Sequence, residues 1–595
     1  MLRTEPKCLS NRPQSLVHKW QRAPSRENTT ARSLCRIVIR AAQRACGWHG
    51  MELVSTTLKP WIKKIAFELE GQLSWSFLPP LMIYVAAGIS GLTAIVGTFF
   101  VKEHLGLSAA FLASMTFWAG LPWALKMPIG HIVDLIWPWK ELLVYLGASL
   151  ICISMATMYG LIAHTDLMTR LMSAEAWFVL STLLAPAGYV IQDVVADAMT
   201  VEAVPVTDVY GNQRCEADVK AMHTTMQTLG RVATIGGFVL VSVLNIVMFS
   251  NADQMSEPEK VSVYAEIYLL ALLIPIVSVV GVMLNGILRR QRARSMHQAG
   301  LDEVRIQRLL FEPAEPTSPN WWILGGSMLF VFFTLAMGFS GLQYSQEVIF
   351  LGSMAIIVFL IQQLISKIDP AARRALLGTA IIIFAFRAVP LPGPGATWFE
   401  IDVLRFDQQF LSILSLIGSG LTLAGMFILR PLLTKRSLAY VIALLSLAAA
   451  VLSLPNIALY FGVHEWTASR TNGVIDARFI ALVDTTLESP LGQIAMIPML
   501  AWIAKNAPID LKATFFAVMA SFTNLALSAS SLGTKYLNQF WIVTREIRDP
   551  VSGTLVTSAD YSQLGWLLIS VTLVSAALPL ITICIIQRSA LRTQE

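Results

Sequence analysis

Apolar stretches of about 20 residues recur along this 595-residue chain, separated by short polar segments. A helix of about 20 residues crosses the hydrocarbon core of a bilayer, because each residue adds ~1.5 Å along the axis. Lipid offers the backbone no hydrogen-bond partners, so these stretches are predicted to be helices; the short alternating strands of a membrane barrel are absent from the sequence. Fourteen spans are predicted, near residues 79–101, 109–129, 142–163, 174–204, 223–249, 264–288, 322–342, 346–366, 375–390, 408–429, 437–461, 478–504, 513–540 and 562–587.

The composition also predicts an all-α polytopic membrane protein. Hydrophobic residues make up 55% of the chain and charged residues 14%, whereas about a quarter of the residues in a soluble domain are charged. The six cysteines lack the paired spacing of a disulfide framework or a zinc site, so no metal or cofactor is expected. The net charge of +6 is ordinary for a membrane protein and does not indicate nucleic-acid binding.

Basic residues fall on alternate predicted loops, which is the positive-inside pattern of membrane proteins. A miscounted helix would invert this pattern further along the chain. We therefore expect both termini in the cytoplasm, and the predicted location is a bacterial inner membrane. The basic residues of the loops assigned to the cytoplasm are Lys140, Arg214, Lys220, Arg289, Arg290, Arg292, Arg294, Arg305, Arg308, Lys367, Arg373, Arg374, Arg430, Lys435, Arg436, Lys505, Lys512, Arg588 and Arg592.

Residues 1–50 are rich in Arg and Lys, and Glu5 and Glu27 are their only acidic residues. The segment has no apolar core of a secretory signal. Three interpretations remain open: a disordered basic tail, a true start at Met51, or an organelle transit peptide, which would place the protein in an organelle membrane. The stretch from Met51 to Gly71 is a candidate interfacial helix.

A weak internal repeat indicates two halves. Residues 99–108 and 398–407 each begin with aromatic residues, continue as a short polar loop and precede a span. Two six-helix halves match the architecture of major facilitator transporters, in which the site lies between the halves. The predicted units are a basic tail (1–78), a six-helix bundle (79–290), a cytoplasmic linker (291–320), a two-helix insert (321–368) and a second six-helix bundle with a short tail (369–595).

Two carboxylates lie within the predicted fourth span. Asp193 and Asp197 are four residues apart and therefore share one face of a helix. A charge inside a span costs several kcal/mol and is usually functional. Lys126 lies at a similar predicted depth, so the group is either a cluster that couples protons or substrate to transport, or an ion pair that only positions helices two and four. Gln192 is a further candidate for this site.

Two arginines are candidates for binding an anion, because a guanidinium offers a planar fork to a carboxylate. Arg231 lies in helix five and Arg387 near the outer end of the span at 375–390. The alternatives are snorkelling to the membrane surface, or pairing with Asp193 or Asp197.

Four residues are candidate gate elements. Gly130 and Asp134 belong to a segment expected to be the loop after helix two, which in major facilitators latches a gate; the alternative is an ordinary loop carboxylate. Asp484 and Glu488 form another pair four residues apart, in the predicted outer half of their helix, where an outer vestibule or gate is expected.

Three segments resemble the folate–biopterin transporter family. Residues 121–134 (LPWALKMPIGHIVD) are similar to its helix-two signature, and residues 192–202 (QDVVADAMTVE) to its helix-four signature. Residues 507–524 (APIDLKATFFAVMASFTN), followed by Leu532 and Gly533, are similar to its C-terminal stretch. The similarity extends over about residues 79–290 and 372–587.

The resemblance implies a major facilitator fold and proton-linked uptake of folates, pterins or related organic anions. Lys126, Asp134, Asp193 and Asp197 match motif positions residue by residue. The chain departs from the family where an Arg-rich run is replaced by residues 135–140 (LIWPWK), and where Lys512 stands in place of a Glu. Muropeptide permeases and acetyl-CoA transporters of the same superfamily are the nearest alternative.

Other classes of function fit less well. A primary pump would need a glycine-rich phosphate loop, which the sequence lacks. An intramembrane prenyltransferase would use two Asp-rich motifs to hold magnesium diphosphate, and residues 484–488 are too poor in carboxylates to be the second. A receptor or scaffold would need no coupled carboxylates. We therefore expect a non-enzymatic secondary transporter that works by alternating access, takes a small organic anion and protons, and needs no oligomer.

Overall fold

The computed structural model describes residues 74–592, apart from residues 105–106, 125, 209, 251–254, 312–318, 320, 341, 366–369, 429–436, 489–511 and 549–554. The basic tail and the candidate interfacial helix at 51–71 lie outside the described residues. In the part that is described, the elements are helices apart from one short β-hairpin.

The first half of the molecule contains ten helices among the described residues. The first span bends at a 3₁₀ turn over Ser90–Thr93, between α1 and α2. The helices are α1 (Leu78–Ile89), α2 (Ala94–His104), α3 (Ala109–Ala124), α4 (Lys126–Leu135), α5 (Glu141–Ala163), α6 (Thr165–Thr169), α7 (Ala174–Ala203), α8 (Glu216–Met248), α9 (Glu257–Ala271) and α10 (Leu273–Gln298).

Helices α5 and α7 pack with their backbones close together. A Cβ atom added to Gly147 would lie 2.7 Å from the carbonyl oxygen of Gly188, so both positions require glycine. Small residues allow such approach where lipid provides no hydrophobic force between helices. This contact fixes which face of α7 is turned away from α5, and Asp193 and Asp197 lie outside the contact.

A short amphipathic helix and two apolar helices connect the halves. They are α11 (Glu303–Leu310), α12 (Trp321–Phe339) and α13 (Ser345–Ile365). Helix α13 packs on α12 and on a helix of the second half, and the cluster of Phe117, Leu121, Phe330, Ile349 and Leu532 fills the space between them. The insert is therefore in contact with both halves.

The second half contains nine described helices and the hairpin. The helices are α14 (Pro370–Arg387), α15 (Pro394–Asp402), α16 (Gln408–Ile428), α17 (Leu438–Leu452), α18 (Leu454–Tyr460), α19 (Val463–Arg470), α20 (Ala477–Glu488), α21 (Lys512–Phe540) and α22 (Leu564–Arg588). Strands β1 (Ile547–Arg548) and β2 (Leu555–Thr557) are antiparallel, and Ile547 pairs with Thr557. The chain between α14 and α15 contains Pro390 and Pro392, which prevent the first helix from continuing, and Pro394 begins α15.

The halves meet through α3 with α21 and through α8 with α16. Ser242 Oγ lies 3.0 Å from Ser415 Oγ, and Gln408 Nε2 lies 2.9 Å from the hydroxyl of Tyr264. Both bonds lie toward the end of the molecule that carries His164 and Asp402, here called the opposite end. The end that carries Lys140 and Arg289 is called the basic end.

The predicted helices are found at their expected positions, with some differences in extent. By length and hydropathy, seven described helical segments are able to cross a membrane; the total of fourteen spans and the limits of the units stay predictions. The span predicted at 264–288 is interrupted at Leu272 and runs on to Gln298. The span predicted at 478–504 is described only as far as Glu488.

One local prediction was wrong. The segment from Gly130 to Asp134 was expected to be a loop after helix two, but it is helical and belongs to α4. The loop was expected because the predicted span ends at residue 129, whereas the helix continues beyond Lys126 because its apolar residues still have a partner in α7. Val133 packs in a cluster with Val194 and Val195.

Candidate substrate site

Lys126 lies between the two carboxylates of α7. Its Nζ is 2.5 Å from Asp193 Oδ2 and 2.7 Å from Asp197 Oδ2. Lys126 is the first residue of α4, and the two aspartates are about one helical turn apart in the C-terminal half of α7. The expected proximity of these three residues is present, and one cation is shared by two anions.

Tyr84 adds a fourth polar group to the cluster. Its hydroxyl donates a hydrogen bond of 2.5 Å to Asp197 Oδ1. The ring of Tyr84 also packs against α8, where a Cβ atom added to Gly230 would lie 3.0 Å from Tyr84 Cε2. Helices α1, α4, α7 and α8 thus meet at this site. Tyr84 was not predicted from the sequence, since one hydroxyl in an apolar stretch gives no signal by itself.

The cluster is accessible to solvent although it lies deep in the helices. The side chain of Asp197 exposes 46% of its surface, compared with 21% for Lys126 and 16% for Asp193. A core ion pair would be closed on every side. Open space therefore lies beside Asp197, and a small molecule or ion is able to reach it.

Arg231, one residue after Gly230 in α8, lies on the same side of the bundle as this cluster. It is exposed, and its charge is close enough to act on both Asp193 and Asp197. Arg387 is the last residue of α14 in the second half. The structure therefore brings three of the candidates into direct contact: Lys126, Asp193 and Asp197.

Gln192 is not brought into this group. It is 2% exposed, and its Nε2 donates to the Val144 carbonyl oxygen at 3.3 Å. Its Oε1 accepts a bond of 2.9 Å from Ser278 Oγ. The Gln192 amide therefore links α7 to α5 and α10 on the face away from Lys126.

The candidate gate residues lie in two helices, with Gly130 and Asp134 in α4 and Asp484 and Glu488 in α20. Gly130 faces Val194 of α7. A Cβ atom added to Gly130 would lie 3.9 Å from Val194 Cγ1, so a larger residue would fit there. The side chains of Asp134 and Glu488 lie outside the described set. Asp484 is 5% exposed and accepts a hydrogen bond of 2.8 Å from Asn456 Nδ2.

A second carboxylate lies near Asp484. Glu400 belongs to α15, between two predicted spans, and burial together with the negative charge of Asp484 raises the pKa of Glu400 to about 7. Phe399 and Ala481 pack in one apolar cluster, which holds α15 against α20. Glu400 was not a candidate in the sequence, where it lies between two predicted spans and only Asp402 is a nearby acid.

A charged network at the basic end ties three helices together. Lys140 is 1% exposed, and its Nζ lies 2.6 Å from Glu202 Oε1. Arg289 in α10 lies 2.9 Å from Glu202 Oε2, and Asn285 donates a bond of 2.8 Å to Glu141. Burial lowers the pKa of Lys140, and the charge of Glu202 opposes that shift. Spacing along the chain did not predict this network, because its members come from α5, α7, α10 and the turn before α5.

Solved structures of known proteins share the fold of this chain. A POT family transporter in complex with a thioalcohol-conjugated peptide superposes with a TM-score of 0.55 at 12% identity, over 86% of this chain and 96% of that one. A POT family transporter in complex with 5-aminolevulinic acid gives a TM-score of 0.54 at 12% identity, over 86% of this chain and 95% of that one. At such low identity the likeness shows the fold alone. The expected major facilitator fold is confirmed, and the protein is a polytopic membrane transporter.

The sequence comparisons identify the family. The model of the BT1 family matches residues 85–594, and the chain belongs to that family. A folate-biopterin transporter of Synechocystis sp. (strain ATCC 27184 / PCC 6803 / Kazusa) is 22% identical over 537 residues, which cover 89% of this chain and 85% of that protein. The predicted resemblance to folate–biopterin transporters is thereby confirmed.

Proposed function

We propose that this chain is a secondary transporter that carries a folate- or pterin-like organic anion by alternating access, driven by protons. The observation that carries the proposal is the cluster in which Lys126 is shared by Asp193 and Asp197 while Asp197 stays accessible. One cation cannot neutralise two carboxylates, so the group holds a negative charge that a proton is able to remove. The relative from Synechocystis supports the class of substrate through its name.

The cycle follows from how the halves meet. The bonds Ser242–Ser415 and Gln408–Tyr264 join the halves toward the opposite end. We assign this closed end to the outer side, with both termini in the cytoplasm of a bacterial cell. Protonation at Asp193 or Asp197 releases Lys126 from one carboxylate, which loosens α4 from α7 and lets the halves rock about the site. Substrate binding then stabilises the inward-facing arrangement.

Uptake by proteoliposomes tests the proposal. Purified protein is reconstituted and offered labelled folate or biopterin, with and without an imposed proton gradient. We expect accumulation only with the gradient and its loss in Asp193→Asn. Asp166→Asn is the matched control, since Asp166 lies in the short, exposed helix α6.

A well-folded protein that accumulates neither compound would contradict the substrate class and favour sugar-peptide or thioester substrates. Equal accumulation with and without the proton gradient would contradict proton coupling.

A further inference from the structure

The two carboxylates of α7 are held by different sets of hydrogen-bond donors. Asp197 Oδ2 lies 2.7 Å from Lys126 Nζ, and Asp197 Oδ1 accepts a bond of 2.5 Å from the hydroxyl of Tyr84. Asp193 Oδ2 lies 2.5 Å from Lys126 Nζ, and among the residues that the structure describes no donor reaches its Oδ1. The carboxylates therefore share one cation, and only Asp197 has a donor of its own.

The position of the Tyr84 hydroxyl is fixed by the packing of α1 on α8. A Cβ atom added to Gly230 would lie 3.0 Å from Tyr84 Cε2, so the ring rests directly on the backbone of α8. Gly88, one helical turn after Tyr84, lies so close to α8 that an added Cβ atom would be 2.1 Å from the carbonyl oxygen of Thr234. The ring has no room to move toward α8, and its hydroxyl stays directed at Asp197.

This difference decides which carboxylate takes a proton. A hydrogen bond donated to a carboxylate favours its ionised form, so the carboxylate with fewer donors takes a proton more readily. Burial acts in the same direction because it penalises the charged form, and the side chain of Asp193 is the less exposed of the two. Both effects favour protonation of Asp193 over Asp197.

The longer helices packed on α7 do not change this order. Helix α3 contains no titratable residue, and Glu141, the only charged residue of α5, accepts a bond from Asn285 at the basic end. Lys126 of α4 contacts both carboxylates, and the exposed Arg231 of α8 acts on both. The two aspartates therefore differ through Tyr84 and through burial.

We propose that Asp193 takes the coupling proton, on Oδ1, and that Tyr84 is a positioning residue that keeps Asp197 ionised as the partner of Lys126. This inference rests on the proposed function and names the residue that carries its proton. With Asp193 ionised, Lys126 and the two aspartates sum to one negative charge, which repels an organic anion. Protonation of Asp193 leaves the neutral pair of Lys126 with Asp197, so the proton and the anion bind together.

Labelling with a hydrophobic carbodiimide tests the assignment, because this reagent adds to a carboxyl group that carries a proton and not to an ionised one. The full-length protein in membrane vesicles is treated with dicyclohexylcarbodiimide at pH 6 and pH 8, and tandem mass spectrometry locates the adduct. We expect the adduct on Asp193, with more at pH 6. Asp197 should carry roughly tenfold less, the factor that one hydrogen bond to a charged group supplies, although its side chain is the more accessible.

Tyr84→Phe removes the hydroxyl and keeps the ring against α8. The adduct on Asp197 should rise roughly tenfold in this variant, while Asp193 stays labelled. Gly230→Ala, whose Cβ atom would press on the Tyr84 ring, should raise it as well and replaces Tyr84→Phe if that variant fails to fold. Tyr145→Phe is the matched control, since Tyr145 is exposed on α5, and it should keep the wild-type pattern.

Thermal unfolding identifies a variant that fails to fold, and the wild-type labelling decides by itself which carboxylate holds the proton. An adduct on Asp197 but not on Asp193, or on neither, would overturn the assignment of the proton. An unchanged ratio of the two adducts in a folded Tyr84→Phe would overturn the role of Tyr84. Labelling needs no substrate, so these outcomes are separate from uptake, in which a wild-type protein that accumulates neither folate nor biopterin would refute the proposed function itself.

Discussion

Lys126 Nζ lies 2.5 Å from Asp193 Oδ2, which joins the start of α4 to the C-terminal half of α7. The pair is closed to most solvent but not sealed, since the two side chains expose 21% and 16% of their surfaces. Removing one member of such a pair leaves the other charge without compensation, and this costs more than the pair itself contributes. Single and double substitutions of Lys126 and Asp193 therefore distinguish a structural role of this pair from a role in transport.

Lys126→Met is expected to lower the free energy of unfolding by about 1–3 kcal/mol, less than for a fully buried pair because solvent reaches the site. The double variant Lys126→Met with Asp193→Asn should recover part of that loss, because one of the two carboxylates that lose Lys126 is removed. Its transport should remain abolished. Thermal unfolding in detergent and uptake by proteoliposomes measure the two properties separately. Recovery of transport together with stability would show that the cluster only positions the helices.

Glu202→Gln should destabilise the basic end in a pH-dependent way. Lys140 is buried and would lose its partner at 2.6 Å, so its already lowered pKa would fall further below the value of about 10.4 in the unfolded chain. Between the two pKa values the unfolded state binds the extra proton, so stability rises with pH. The free energy of unfolding of Glu202→Gln should therefore lie furthest below that of wild type near pH 7, and the difference should become smaller toward pH 10.

Thermal unfolding of both proteins over that pH range measures the effect. Glu175→Gln is the control, because Glu175 is exposed in the first turn of the same helix α7. A constant difference between Glu202→Gln and wild type at every pH would show that Lys140 does not titrate in this window.

Gln346 joins the insert to both halves through one amide. Its Nε2 donates to Ser114 Oγ in α3, and its Oε1 accepts a bond of 3.1 Å from Lys535 Nζ in α21. Lys535 also lies 2.9 Å from Glu347, so α13 is held to α21 by a second bond. In Gln346→Ala the link to α3 is lost and that to α21 remains.

Hydrogen exchange should therefore become faster at the start of α3 and α13 in Gln346→Ala, by roughly the 0.5–1.5 kcal/mol that each such bond contributes. Exchange in α17 should not change. Gln362→Ala, at an exposed position of α13, is the matched control. Identical exchange in the two variants would mean that the insert is held by its apolar contacts alone.

Much of the fold was predictable because helix length and hydropathy are local properties. The spans predicted at 142–163 and 174–204 correspond to α5 at Glu141–Ala163 and α7 at Ala174–Ala203. The loop expected at Gly130–Asp134 was wrong, because the partner of that segment, Val194, lies far along the chain. Helix continuation there depends on packing that no local pattern contains.

The site was predictable only in part, for a similar reason. Lys126, Asp193 and Asp197 are charges in apolar stretches, and their cost in a membrane makes each of them stand out. Tyr84 is a polar residue of ordinary type, and its importance comes from Asp197, the partner that the tertiary structure supplies. Gln192 was predicted to belong to the site but does not contact it. Adjacent residues point to different faces of a helix, so Gln192 lies on a different face of α7 from Asp193.

The raised pKa of Glu400 predicts how the stability of the protein depends on pH. Its pKa of about 7 in the folded protein lies above the value of about 4.3 expected in the unfolded chain. The folded state therefore binds the extra proton between these values, and stability is full below pH 4 and is lost as the pH rises toward 7. Glu400→Gln cannot ionise, so it should match wild type near pH 4.5 and be more stable by about 1–3 kcal/mol at pH 8. Thermal unfolding across this range measures the difference, with Glu465→Gln as the control because Glu465 is exposed in α19. A Glu400→Gln protein less stable than wild type at pH 8 would mean that the ionised carboxylate has a favourable partner and that Asp484 does not govern it.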